Sequence, residues 1–407
     1  MPTPVFCCGF ECGGLGAAST TGLHWWQAQG ATSGITTQSI RVRSGTRSAH
    51  FQPAGAEGYI RTPVGLISSQ KFAIRFYVYF TTLPSAHVDI FSVGTAGAST
   101  SWGVKYDSGN LLFSHDGTGL SSAPFSVTTN VWYRVELYFD MSGTSHTRTL
   151  LVDGTLVYHS FDFIGTAFTA DCIHCGPRRN SMSADFAIDD VIVSYTLSDF
   201  PFGPGFVNHF HPVSDGSHNI AGTGDFMDTA QAVSLTNATT NAHALLAQIP
   251  ITLFGTFIQI VAPPNAADYV ECVFGPCPGI STPVIPPRAV ECIIAIAQSG
   301  TGAGNMEVRL NDNGTNNAVY SATGVAGSTT VIYKRKHYAT PPSGSSWKVV
   351  SGNGNFNNLR MRLGSPGAVD ANPDQYLGAF MIEAEFSSNY PQKIISINQA
   401  LKRAAYH

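Results

Sequence analysis

Charge is what this chain has least of. Of 407 residues, 22 are Lys or Arg and 26 are Asp or Glu, 12% together, about half the charged share of an ordinary soluble domain. No basic stripe stands out, which argues against a nucleic-acid partner. The net charge of −4 points nowhere else. No apolar run approaches the roughly 18 residues of a membrane-spanning helix. The opening Met1-Pro-Thr-Pro-Val5 lacks the basic and apolar regions of a secretory leader, so synthesis in a cytoplasm is expected. Cysteine is sparse: Cys7, Cys8, Cys12, Cys172, Cys175, Cys272, Cys277 and Cys292 are too few for a disulfide scaffold. Cys172-Ile-His-Cys175 has the spacing of a metal knuckle that Cys7, Cys8 and Cys12 could complete. Zinc sites usually show two knuckles, so reduced thiols are the alternative. Cys272 and Cys277 flank a turn and could close a small loop if oxidised. Nucleophile elbow, phosphate loop and His-Glu-x-x-His helix are all missing from the sequence, and no enzyme is expected.

What remains is apolar and neutral. Hydrophobic residues make up 43% of the chain, enough for a substantial core, so the surface must be built from Ser, Thr, Asn and Gly. From Asn130 to Asp140 the residues alternate. Trp132, Arg134, Glu136 and Tyr138 fall on one face, Tyr133, Val135, Leu137 and Phe139 on the other. Turns follow at Met141-Ser-Gly-Thr144 and at Asp153-Gly154, between two further apolar runs. This is the pattern of antiparallel strands. Further strands are expected at Ser39–Arg43, Lys71–Phe80, Val88–Val93 and Phe186–Val193. In Lys71–Phe80, Ile74, Phe76 and Val78 alternate with Arg75, Tyr77 and Tyr79, as in a sheet with one covered face.

Phe200-Pro-Phe-Gly-Pro-Gly205 breaks any regular element. The chain is therefore divided into residues 1–198, a second mostly β unit at 199–388, and a tail at 389–407. Strands in the second unit are expected at Thr256–Val261, Ala289–Ile296, Asn305–Leu310, Val331–Lys334 and Tyr376–Glu385. One short helix could lie between Asp228 and Leu246. In the tail, Ile394, Ile397, Leu401 and Ala404 form a helical stripe, read either as packing on its own domain or as docking on a neighbouring subunit.

The order of pieces in the first half resembles the concanavalin-like, laminin-G-like jelly rolls. Gly9-Phe-Glu-Cys12 is similar to the opening strand and Ser44-Gly-Thr-Arg-Ser-Ala-His-Phe51 to the strand after a Ser-Gly turn. Trp132–Tyr158 is similar to the central pair, and Ala187-Ile-Asp-Asp-Val191 to the closing strand. The second half resembles a module that follows such jelly rolls in structural proteins of tailed bacteriophages, through Asn208–Gly216 and Pro342-Ser-Gly-Ser-Ser-Trp347. Its opening departs from that pattern at His209 and His211.

The resemblance implies an all-β antiparallel sandwich and a virion component of tail, fibre or capsid surface. Such a protein works by self-assembly, with a homo-oligomer (a trimer first) and other virion proteins as partners. It also implies a structural Ca²⁺ held by Glu11 and Asp189 with carbonyls near Ser48, since hard cations need several oxygens; a capped turn is the alternative. Strand alternation sends Asp190 to the opposite face. His209, His211 and His218 could chelate a transition metal, or lie exposed or at an interface. Trp25, Trp26 and Trp102 could stack on sugars, which would make the chain a host-recognition adhesin; core packing or subunit contact is the other reading. A polysaccharide depolymerase is the third possibility, because the separation of paired acids is a three-dimensional fact.

Overall fold

The computed structural model describes residues 4–11, 26–30, 32–53, 57–96, 101–115, 118–164, 167–178, 183–222, 225–228, 233–247, 256–260, 267–275, 287–299, 303–312, 315–326, 332–338, 340–342, 347, 359–364 and 374–387. These residues build four antiparallel sheets. The first sheet runs Thr155–Ile164, Ser145–Val152, Trp132–Asp140, Lys71–Thr82, Asp185–Ser194, Ser48–Phe51, Ile35–Gln38, with Pro4–Cys8 also on Asp185–Ser194. The second runs Thr118–Ser126, Asn110–His115, Ser101–Asp107, Val88–Gly94, Cys172–Cys175, Gly58–Arg61, Gln27–Gly30. Between them lies one apolar core that includes Phe72, Phe76, Phe80, Phe91, Phe113 and Trp102.

The alternation read from the sequence operates as stated. Tyr133, Val135, Leu137 and Phe139 face this core, as do Ile74, Phe76 and Val78. Asp153 and Gly154 take positive φ between Val152 and Thr155, the two-residue hairpin turn that Asp-Gly favours. Ser39–Arg43 departs from expectation. The strand ends at Gln38 and the following residues bend away, because Arg41 and Arg43 turn their side chains to Asp185 and Asp190.

Asp185–Ser194 ends the first sandwich and Gly205–Phe210 opens the second. No strand is shared between the two pairs of sheets. The third sheet runs Phe226–Met227, Ile258–Ile260, Gln375–Ser387, Ala289–Gln298, Ile332–Tyr338, with Gly205–Phe210 also on Gln375–Ser387. The fourth runs Pro212–Asp215, Tyr269–Phe274, Leu359–Gly364, Ala303–Asp312, Thr315–Ala326. A second apolar core fills the space between them, with Trp347 buried in it. Among its described residues, the segment expected to hold a short helix contains a 3-10 turn, Ala242–Leu245. The tail at 389–407, expected to be helical, lies outside the described residues.

The sandwiches pack against each other through the outer side of the first sheet. A small apolar cluster of Cys7, Ala73, Ile192, Phe202, Val207 and Ala289 marks the contact. Consequently the expectation of one covered face on Lys71–Thr82 is only half the story. Its other face is buried at Arg75 and Tyr77 by the second domain.

Candidate functional site

The most chemically unusual region is this joint, where charged groups with no exposed surface meet. Arg75 Nη1 donates to Glu385 Oε1 at 2.8 Å, and both side chains are fully buried. Arg288 grips the same carboxylate through Nε at 2.6 Å and donates to the Phe202 carbonyl at 3.0 Å. Burial alone would lower the Arg75 pKa, but the charges of Glu385, Tyr77 and Asp190 and the hydrogen bond to Glu385 together outweigh it and raise the value. A few ångströms away, Glu291 accepts from Arg335 Nε at 2.7 Å, sits 2.7 Å from His337 Nδ1, and accepts the Cys7 backbone N–H at 3.2 Å. Burial pushes the Glu291 carboxyl up; Arg335 and His337 together hold it below its ordinary range. Buried charges survive only when paired in this way.

Among the described residues no cation forms an ion pair with Glu383, although the charge of Arg335 reaches it. Its Oε1 accepts the Glu11 backbone N–H at 3.0 Å, and its Oε2 is buried without a hydrogen-bond partner. Burial, reinforced by the charge of Glu11, raises its pKa to about 8, so at neutral pH it is chiefly a protonated acid.

Glu11 and Asp189 meet at the Ser-Gly turn, as the resemblance implies, and a break in the closing strand explains how. Residues 186–188 of Asp185–Ser194 pair with Ser48–Phe51, while residues 191–194 pair with Pro4–Cys8. The register shifts between Asp189 and Ile192, and Asp190 takes φ 53°. This β-bulge overrides alternation. Asp190 therefore does not face away from the turn: its Oδ1 accepts from Ser44 Oγ at 2.5 Å, and its Oδ2 pairs with Arg43.

The donor set around the turn does not suit calcium. Glu11 Oε1 accepts the N–H groups of Thr46 and Arg47 at 2.9 and 3.2 Å, and its Oε2 accepts Thr46 Oγ1 at 2.6 Å. Asp189 Oδ2 accepts the Arg43 N–H at 2.9 Å, and its Oδ1 that of Asp190 at 2.8 Å. Amide hydrogens, not carbonyl oxygens, face both carboxylates, and an N–H presents the wrong end of its dipole to a cation. Burial, with the charges of Asp190 and Glu11, raises the Asp189 pKa well above the carboxylate range.

The other expected sites come apart. Trp26 is fully buried, stacked on Phe10 and donating Nε1–H to Cys8 Sγ at 3.3 Å. Trp102 is buried beneath Arg148, whose guanidinium carbon lies 3.6 Å from the ring centroid, with His115 and His146 against its edges. Neither ring has a face for a sugar, which corrects the stacking expectation in favour of core packing. Trp25 lies outside the described residues. The half-buried pair Tyr79 and Trp132, 5.3 Å between centroids on the outer sheet face, is the aromatic surface that sequence reasoning passed over.

Cys172 and Cys175 do not form a knuckle. Cys175 joins the core, while Cys172 Sγ lies 3.4 Å from the Gly94 carbonyl and from His174 Nε2. Residues three apart on a strand point to opposite faces. Cys7 and Cys8 lie in the other sheet, and Cys12 and Cys277 are outside the described residues. His209 and His211 stack at 5.8 Å. His218 is elsewhere, accepting the Glu271 N–H on Nδ1 at 3.0 Å and lying 3.7 Å from Asp215. The three histidines thus do not converge. Among the described residues no group of three or more His, Cys, Asp or Glu is placed to hold a metal ion. No described helix is long and apolar enough to cross a membrane.

A sandwich of two antiparallel sheets closed by a strand from each end of the domain defines a jelly-roll class. Residues 54–199 match the concanavalin A-like lectin/glucanases superfamily, and the first domain is a concanavalin A-like jelly roll. Among solved structures, the chain is similar to the cellulose induced protein Cip1 at 14% identity and TM-score 0.33, over 42% of this chain and 91% of that one. It is similar to Trypanosoma rangeli sialidase at 16% identity and TM-score 0.32, over 46% of this chain but only 32% of the sialidase. Alginate lyase Aly36B stands at 13% identity and TM-score 0.31, over 41% and 86%. Likenesses this distant carry no argument about activity. No curated protein matches the sequence.

Proposed function

We propose that the chain is a virion structural protein of a tailed phage, a tail, fibre or capsid-surface component that works by assembly and display rather than by catalysis. The observation that carries this reading is the joint. Two sandwiches tied by the fully buried Arg75–Glu385 pair and by the Cys7 and Glu11 N–H groups on Glu291 and Glu383 make a stiff unit, since separating them would strand Arg75 without its carboxylate. Stiff, weakly charged β units suit symmetric packing against copies of themselves. Light scattering on the purified chain is expected to give a homo-oligomer, a trimer first, and labelling of intact particles should place it on the virion. A strict monomer that is missing from particles would sink the reading.

A second reading is favoured by one observation, the match of residues 54–199 to a superfamily of lectins and glucanases. On that reading the chain is a glycan-binding adhesin, and Tyr79 with Trp132 offers the accessible aromatic surface. Binding on a glycan array that disappears in Trp132→Ala would support it. Release of reducing ends from host polysaccharide would instead favour a depolymerase.

A further inference from the structure

We infer that the turn from Arg43 to Arg47, with Glu11, Asp189 and Asp190, is a metal-free latch between the domains, in which the turn's amides and His209 of the second domain take the place of a calcium ion.

Three observations lead there. The first is valence. The lone pairs of Glu11 are occupied by Thr46 and Arg47, and its Oε2 lies a further 2.9 Å from His209 Nδ1, both side chains being almost wholly buried. A calcium ion needs six to eight oxygens at roughly 2.3–2.6 Å, and here nitrogen donors stand in those directions.

The second is space. Gly45 has φ +67°, and a Cβ there would lie 1.9 Å from Glu11 Oε1. The turn is pressed directly onto the carboxylate, which leaves no layer for an ion between them.

The third is that the same turn reaches the other domain. Arg43 Nη1 donates to the Gly205 carbonyl at 2.7 Å as well as pairing with Asp190, and its guanidinium carbon lies 3.3 Å above the Tyr77 ring. Ser44 Oγ donates within 2.9 Å of the Val207 carbonyl, and the Val207 N–H donates to Asp190 Oδ1 at 2.5 Å. The positive charge that an ion would supply to these acids comes from Arg43. The strand Gly205–Phe210 that carries Val207 and His209 is thereby held against the notch where the closing strand changes partners.

Thermal unfolding of the whole chain tests this. Wild type is expected to melt at the same temperature after EDTA treatment, without additive, and in excess calcium chloride. His209→Ala is expected to lower the melting temperature by about 2–4 °C, the shift for loss of one buried polar contact to a carboxylate, and to speed proteolysis at the Phe200–Gly205 connection. His209→Gln, which keeps a polar side chain beside Glu11, should recover part of both. A fall in the wild-type melting temperature with EDTA that calcium reverses would overturn the latch. So would a calcium binding heat lost in Glu11→Gln, or a His209→Ala protein indistinguishable from wild type. The wild-type arm decides even if a variant fails to fold.

Discussion

The strand Lys71–Thr82 is buried on both sides, and its two faces are opposite in chemistry. Ile74, Phe76 and Val78 pack into an apolar core, while Arg75 and Tyr77 point into the joint and are equally hidden from water. One residue of register separates the two environments. The inner face gains from area removed from water and asks only for shape. The outer face gains little net energy from its ion pairs, because desolvation offsets their attraction. It does make a misplaced domain costly, since a shift that parts Arg75 from Glu385 would leave a buried charge unpaired. The inner face thus supplies stability, and the outer face supplies the unique relative position of the two domains.

Substitutions can break or sharpen that contrast. Phe76→Ala is expected to cost about 3–5 kcal/mol, because the ring is stacked on Phe91 at 4.3 Å with no solvent to fill the gap. Denaturant unfolding should show it. Arg75→Ala should cost about 3 kcal/mol, at the low end for a broken buried pair, since Arg288 still holds Glu385. Unlike Phe76→Ala, it should also separate the transitions of the two domains in calorimetry.

Glu383 gives the joint a pH dependence of definite sign. Its folded value of about 8 exceeds the ordinary 4.5, so the folded chain holds this proton more tightly than the unfolded one. That contribution is complete below about 4.5 and is lost as pH rises through 8. Glu383→Gln should flatten the fall in melting temperature across this window. An unchanged slope would assign the effect elsewhere. At the small end, Arg41 pairs with Asp185 at 3.5 Å on the partly exposed rim, and Arg41→Ala should cost less than about 1 kcal/mol.

The inner face was legible in the sequence because a half-buried strand writes its environment as period-two alternation. The jelly-roll order and the Asp153-Gly154 hairpin were legible for the same local reason. The joint was not. Glu291, Glu383 and Glu385 sit in otherwise apolar strands, where alternation assigns acids to water. Only the other domain, hundreds of residues away in sequence, reveals that they are covered. Two same-face acids two apart in so apolar a strand were the available hint. Asp190 misled for a further reason: a bulge is a departure from the very periodicity used to predict orientation. Trp26 and Trp102 show the limit for aromatics, whose loop-side and core-side positions read alike.

The order in which the joint's residues occur along the chain has a consequence for synthesis. Cys7, Glu11, Arg43 and Arg75 are made early, whereas their partners His209, Glu291, Glu383 and Glu385 come later, some at the far end of the described chain. A nascent first sandwich must therefore wait beside the ribosome with its docking surface uncovered. Because much of that surface is arginine and carboxylate rather than leucine and phenylalanine, water can cover it in the meantime. The waiting intermediate then shows neighbouring chains little that is sticky.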